Sequence, residues 1–136
     1  MRKRFLSTVL VLIMLLSLAP MSALADDTFR SGDFTFVIET GVACVKKYNG
    51  SSSSVSVPSK VDYDGVTYKV RNIHQDAFKN CTTIQKLVLP ETVNRIGKQA
   101  FANCTSLNSI TINGDLNGVY TVDNTFYNIG ANSDYL

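Results

Sequence analysis

Two consecutive stretches of the chain are near copies of one another, and this constrains the fold more than any other feature. Ile73, Phe78, Cys81, Ile84, Leu87 and Leu89 are followed, each 23 residues later, by Ile96, Phe101, Cys104, Leu107, Ile110 and Ile112. Ala77 and Ala100 keep the same offset, as do Asn80 and Asn103. A fixed period in the twenties is the mark of a solenoid, in which one unit is too small to bury its own apolar face and must stack on the next. The repeat sets an architecture without identifying a ligand, and it lowers the expectation of an enzyme.

Within a unit the apolar spacing changes. Ala77, Phe78, Cys81 and Ile84 fall at i, i+1, i+4 and i+7, the spacing of one face of a short helix, and Ala100, Phe101, Cys104 and Leu107 repeat it. The period then becomes two. Leu87 and Leu89 point inward with Lys86 and Val88 outward, and Ile110 and Ile112 point inward with Ser109 and Thr111 outward. Pro90, which has no N–H for a ladder, fits the end of the first of these strands. Gly97 suits the turn before the next helix, and His74 holds the equivalent place one unit earlier. His74 then either needs no positive φ or sits in a mildly strained conformation. The expected fold class is α+β, a short solenoid with a strand and a short helix in each coil. The predicted core is Phe78, Cys81, Ile84, Leu87, Leu89, Phe101, Cys104, Leu107, Ile110 and Ile112.

Val55-Ser-Val57-Pro58 reads as an earlier copy of the strand. Phe34–Ile38, Gly41–Val45 and Val66–Val70 also alternate as strands, and Asp62-Tyr-Asp64-Gly65 is a turn signal. This leading section is expected to cap the open end of the stack, since a terminal unit needs a cover. Ser51 to Ser54 reads as a surface turn. Phe126 and Ile129 mark an irregular further unit, and the sequence reaches Leu136 where its strand is expected, leaving an uncapped apolar edge prone to self-association.

The first residues read as an export signal. Arg2-Lys3-Arg4 precedes an uncharged, mostly apolar run from Phe5 to Ala19, Pro20 breaks it, and Ala23-Leu24-Ala25 has the small-x-small form of a cleavage site. The run is short for a membrane span. The predicted cut lies between Ala25 and Asp26. This divides the chain into a signal peptide (1–25), a β-rich capping section (26–72) and the repeats (73–136, the last incomplete), with no membrane association after cleavage. The whole chain has 13 Lys and Arg against 11 Asp and Glu, a formal +2. Without Arg2, Lys3 and Arg4, ten basic residues stand against eleven acidic ones, a formal −1. A surface so balanced carries no electrostatic footprint for nucleic acid.

No grouping for catalysis or metal binding is evident. The three cysteines, Cys44, Cys81 and Cys104, lack Cys-x-x-Cys spacing, and an odd number cannot pair completely. Stacking sets Cys81 and Cys104 roughly 5 Å apart, within reach of a disulfide by separation alone. Their side chains should run parallel, which favours small apolar core residues over a bridge. His74, the only histidine, has no repeat-equivalent acidic or cysteine partner from which to build a triad. Asp62-x-Asp64-Gly65 is too short for a calcium loop and reads as a solvated turn. No cofactor is expected. Asn49-Gly-Ser51, Asn80-Cys-Thr82 and Asn103-Cys-Thr105 fit the glycosylation acceptor pattern, two of them as by-products of the repeat. The outward strand positions Ser56, Lys86, Val88, Ser109 and Thr111 form the one candidate partner-binding face, since solenoids commonly recognise through their strands.

These residues resemble the bacterial surface leucine-rich repeats named for a Bacteroides surface antigen, a cysteine-containing type whose unit reads I-G-x-x-A-F-x-x-C-x-x-L-x-x-I-x-I-P. Ile96-Gly97, Ala100-Phe101, Cys104, Leu107, Ile110 and Ile112 match it, as do Ile73, Ala77-Phe78, Cys81, Ile84, Leu87, Leu89 and Pro90, with His74 in place of the glycine. The likeness extends roughly over residues 34 to 130 and is strongest from 73 to 112. It implies an exported or cell-surface, non-enzymatic, adhesin-like recognition module whose partners are host extracellular-matrix or bacterial surface proteins. The other expectation is a terminal fragment or structural spacer of a longer surface protein, without binding activity of its own.

Overall fold

The computed structural model describes residues 27–114, 120–121 and 125. The expected signal peptide, its cut site, Phe126, Ile129 and Leu136 lie outside these residues. Among the described residues ten strands run in chain order: β1 (Thr28–Ser31), β2 (Phe34–Glu39), β3 (Val42–Tyr48), β4 (Ser54–Ser56), β5 (Lys60–Tyr63), β6 (Val66–Ile73), β7 (Lys86–Leu89), β8 (Arg95–Ile96), β9 (Ser109–Ile112) and β10 (Tyr120–Thr121). They form two sheets. One has the order β1-β2-β3-β6-β8-β10, with β5 paired to β6; the other has the order β4-β7-β9. Each coil contributes one strand to each sheet, as β7 and β8 do on either side of Pro90.

The leading section is built by tight turns. Thr40 and Gly41 join β2 to β3 with φ of 48° and 79°, and Asp64 and Gly65 join β5 to β6 with φ of 50° and 74°. Two consecutive positive φ angles suit the right-handed twist of a two-residue hairpin. The Asp62-x-Asp64-Gly65 motif is therefore a hairpin turn, and the Asp62 carboxylate accepts a hydrogen bond from the Thr67 hydroxyl. β6 joins the two halves of the molecule. Its first half pairs antiparallel with β5, and its last residues pair parallel with β3 on one side and β8 on the other.

The expected short helices do not form, and the α+β expectation is corrected accordingly: among the described residues the protein is a strand-rich curled sheet with no helix. Residues 75–80 and 98–103 are successive turns. The reason lies in the backbone. Asp76 and Asn80 have φ of 59° and 62°, and their counterparts Gln99 and Asn103 have 54° and 59°. A left-handed residue every fourth position cannot propagate a right-handed helix. The amides Ala77, Lys79 and Cys81 bond three residues back, to His74, Asp76 and Phe78. The amides between them leave the coil altogether. Asp76 N bonds Lys98 O (3.2 Å), Phe78 N bonds Ala100 O (2.7 Å) and Asn80 N bonds Ala102 O (2.8 Å). Tyr48 N to Ala77 O (2.9 Å) and Phe101 N to Thr125 O (3.0 Å) carry the same ladder to either side. Donors that an isolated helix would satisfy internally are satisfied by the next coil. A side-chain rung, Asn103 Nδ2 to Asn80 Oδ1 at 2.9 Å, runs beside them.

The core is a column of stacked side chains. Phe78 and Phe101 are fully buried with ring centroids 5.2 Å apart. The aromatic row continues through Tyr48 (5.5 Å from Phe78), Phe34 (5.3 Å from Tyr48) and Phe36 (5.8 Å from Phe34) to Phe29 and Tyr63. β2 and β3 thus lay Phe34 and Tyr48 over the open side of the first coil. Ile84, Leu87, Leu89, Cys104 and Leu107 are also buried. Cys81, Ile110 and Ile112 are only half-buried and pack against the rim of the core. Ile110 and Ile112 lie on β9, the last strand of its sheet among the described residues.

Candidate functional site

The five predicted surface residues come together on the sheet β4-β7-β9. These strands are parallel and in register, with Ser54, Lys86 and Ser109 in one row and Ser56, Val88 and Thr111 in the next. The pleat turns Val55, Leu87 and Leu89 into the core and leaves the alternate positions outward. Ser56, Lys86 and Thr111 are exposed; Val88 and Ser109 are half-buried. Ser53 O accepts from both Gln85 N and Lys86 N, and Gln85 O accepts from Asn108 N and Ser109 N, which holds the three strand entrances level. The face offers hydroxyls, one ammonium group and one valine on a rigid ladder. It holds no nucleophile with an adjacent base.

A second cluster was not legible in the sequence. The Cys44 thiol donates to Glu39 Oε2 (3.4 Å) and accepts from Asn72 Nδ2 (3.3 Å), while His74 Nε2 lies 4.0 Å from Glu39 Oε1. His74 therefore does have an acidic neighbour, supplied by the β2–β3 hairpin rather than by an equivalent repeat position. Glu39, Asn72 and His74 line an open cavity of about 280 Å³, with Cys44 buried behind them. They do not form a nucleophilic triad. Cys44 is fully buried, its thiol bonds the carboxylate rather than the imidazole, and desolvation pushes its pKa up to about 11 despite the opposing Asn72 hydrogen bond. Among the described residues no group of three or more His, Cys, Asp and Glu is arranged to hold a metal ion.

All three cysteines are free. Cys104 Sγ donates to Phe78 O at 3.0 Å, so the thiol ties one coil to its predecessor without a disulfide. Burial pushes the Cys104 pKa up to about 12 and also raises that of Cys81. An unfolded thiol loses its proton near 9.0, whereas the folded Cys44 and Cys104 hold theirs to about 11 and about 12. Between these limits the unfolded state binds fewer protons, so stability is fully present below pH 9 and declines as pH rises toward 12. Urea midpoints measured below pH 9 and near pH 11 should show this fall, and Cys104→Ala should reduce it. Native protein should resist iodoacetamide at neutral pH and react fully in denaturant.

The chain matches the model of the BspA type leucine rich repeat region over residues 48–134, in six copies. Only two units are evident from the strict 23-residue offset. Among solved structures it is similar to a leucine-rich repeat protein from Bacteroides capillosus, with 31% identity and a TM-score of 0.58 over 62% of this chain and 64% of that one. It is also similar to a leucine rich cell surface protein from Faecalibacterium prausnitzii, with 29% identity and a TM-score of 0.60 over 76% of this chain and 26% of that one. A T. pallidum leucine rich repeat protein, at 24% identity and a TM-score of 0.61 over 74% of this chain and 45% of that one, shares the fold. The chain thus spans less than two thirds of each of these proteins. No curated protein matches it.

Proposed function

We propose that this chain, which belongs to the BspA-type leucine-rich repeat family, is a secreted or cell-surface, non-enzymatic protein-recognition module. The observation that carries this reading is the in-register β4-β7-β9 face, a rigid outward surface on a core already closed on its other side. The F. prausnitzii protein is described as a cell surface protein, which supports the location; the apolar run before Ala25 supports export. The partners that fit are extracellular-matrix or bacterial surface proteins engaged in an adhesin-like way. The face has no Tyr, Trp or Arg anchor of the kind that dominates interface energies, so affinity is expected to be modest and to centre on Lys86 and Val88.

Solid-phase binding of the purified chain to extracellular-matrix proteins and to bacterial surface extracts tests this. Saturable binding is expected, weakened about tenfold or more by Lys86→Glu combined with Thr111→Arg. Binding that both substitutions leave unchanged removes this face from consideration. No saturable binding to either source favours the spacer role instead.

A further inference from the structure

The cavity beside β6 has chemistry of its own, separate from the strand face. Its walls come from different parts of the chain. Glu39, at the end of β2, stands on one side with His74; Arg95 and Lys98, from the following coil, stand on the other; Asn72 and Gln75 lie between. Sheet register produces this arrangement. Cys44 of β3, Asn72 of β6 and Arg95 of β8 are cross-strand neighbours, so they form one row across three adjacent strands. Successive strands are about 4.8 Å apart, which sets the two walls roughly two strand spacings from each other.

The charges on those walls are opposite and separate. Glu39 is positioned by the partly buried relay Asn72 Nδ2 to Cys44 Sγ to Glu39 Oε2, and its side chain remains 47% exposed. Among the described residues, neither Arg95 nor Lys98 takes part in an ion pair, whereas Glu39 faces His74 and Asp76 faces Lys79. A simple anion placed here would meet Glu39, and a simple cation would meet Arg95 and Lys98. A molecule carrying both charges satisfies both walls. We propose that this cavity binds a small zwitterion of amino-acid to dipeptide size, its carboxylate toward Arg95 and Lys98 and its ammonium toward Glu39, with Asn72 and Gln75 available for hydrogen bonds. The volume of about 280 Å³ falls just below the roughly 300 Å³ at which pockets for drug-sized ligands begin, which suits a smaller molecule.

The test uses the full chain, ¹⁵N-labelled, titrated with glycylglycine and with the same dipeptide capped at one end or the other. Glycylglycine is expected to shift the amide signals of Gln75, Gly97 and Lys98 saturably in the millimolar range. N-acetyl-glycylglycine and glycylglycinamide should each bind about tenfold more weakly. Arg95→Ala with Lys98→Ala should abolish the penalty for amidation, and Glu39→Gln the penalty for acetylation. Absence of saturable shifts, equal binding of the capped forms, or acetate binding as well as glycylglycine would each overturn the proposal. The comparison among ligands needs no variant, so it decides the matter even if a substitution harms folding. It is also independent of any outcome at the strand face.

Discussion

Phe78→Ala will lower the unfolding free energy by about 3–5 kcal/mol, enough to unfold much of the population of a domain this small. Phe78 is fully buried and central to the aromatic row. Its ring lies 5.2 Å from Phe101, 5.5 Å from Tyr48 and 6.3 Å from Phe34, so it joins its own coil both to the following coil and to the β2–β3 hairpin. Truncation removes the transfer energy of the ring and leaves a void bounded by three other rings. The backbone around it is held by bonds to the neighbouring coils, Tyr48 N to Ala77 O and Phe78 N to Ala100 O, which limits collapse into that void. Chemical denaturation followed by circular dichroism measures the loss. A cost under about 1 kcal/mol would mean that the coils do not share one dry interior.

Gly97→Ala is expected to be the second most damaging single change, at about 1–3 kcal/mol or more. A Cβ at this position would sit 2.5 Å from Gln75 N, 2.8 Å from His74 C and 2.9 Å from Gln75 Cα. All three are backbone atoms of the preceding coil, so no side chain can swing aside to make room. Gly97 N also bonds Ile73 O at 2.8 Å, which draws the two coils together at this point. Separating them by enough to admit a methyl group strains the β6–β8 pairing beside it. Gly32→Ala provides the contrast. Gly32 has open space around it and a φ of 58°, so its substitution costs only the left-handed penalty of about 1–2 kcal/mol. If Gly97→Ala melts at the wild-type temperature, the coils are not in contact there.

Gly97 shows how the sequence was informative for a reason other than the expected one. Its φ is not positive, and neither is that of His74, so no strain attaches to the histidine. The glycine is required by close approach between backbones, a property of stacking that local turn chemistry does not express. Conversely, the true left-handed positions, Asp76, Asn80, Gln99 and Asn103, were visible as polar residues recurring at one offset, and the helical apolar spacing overshadowed them. An arc of consecutive turns around a core places apolar residues at nearly the intervals of a helix, so periodicity alone did not separate the two.

The strand face was legible because alternation of period two assigns each residue to a side before any partner is known. The polar cavity was not. Glu39 and Cys44 come from the β2–β3 hairpin, Asn72 and His74 from the end of β6, and Arg95 from β8 one repeat period after Asn72, and the three groups meet only through the pairing of β2, β3, β6 and β8.

From the order of residues alone came the stacking period, the inward and outward sides of the strands, the pairing of like with like along the core and the turn at Asp64-Gly65. Tertiary structure decided that the coil corner is a run of turns rather than a helix, and which distant side chains share the cavity wall. The physical reason is common to both. An amide whose partner lies in the next coil, and a carboxylate whose neighbours lie on other strands, gain their energy from groups many residues away, and a local pattern carries no record of them.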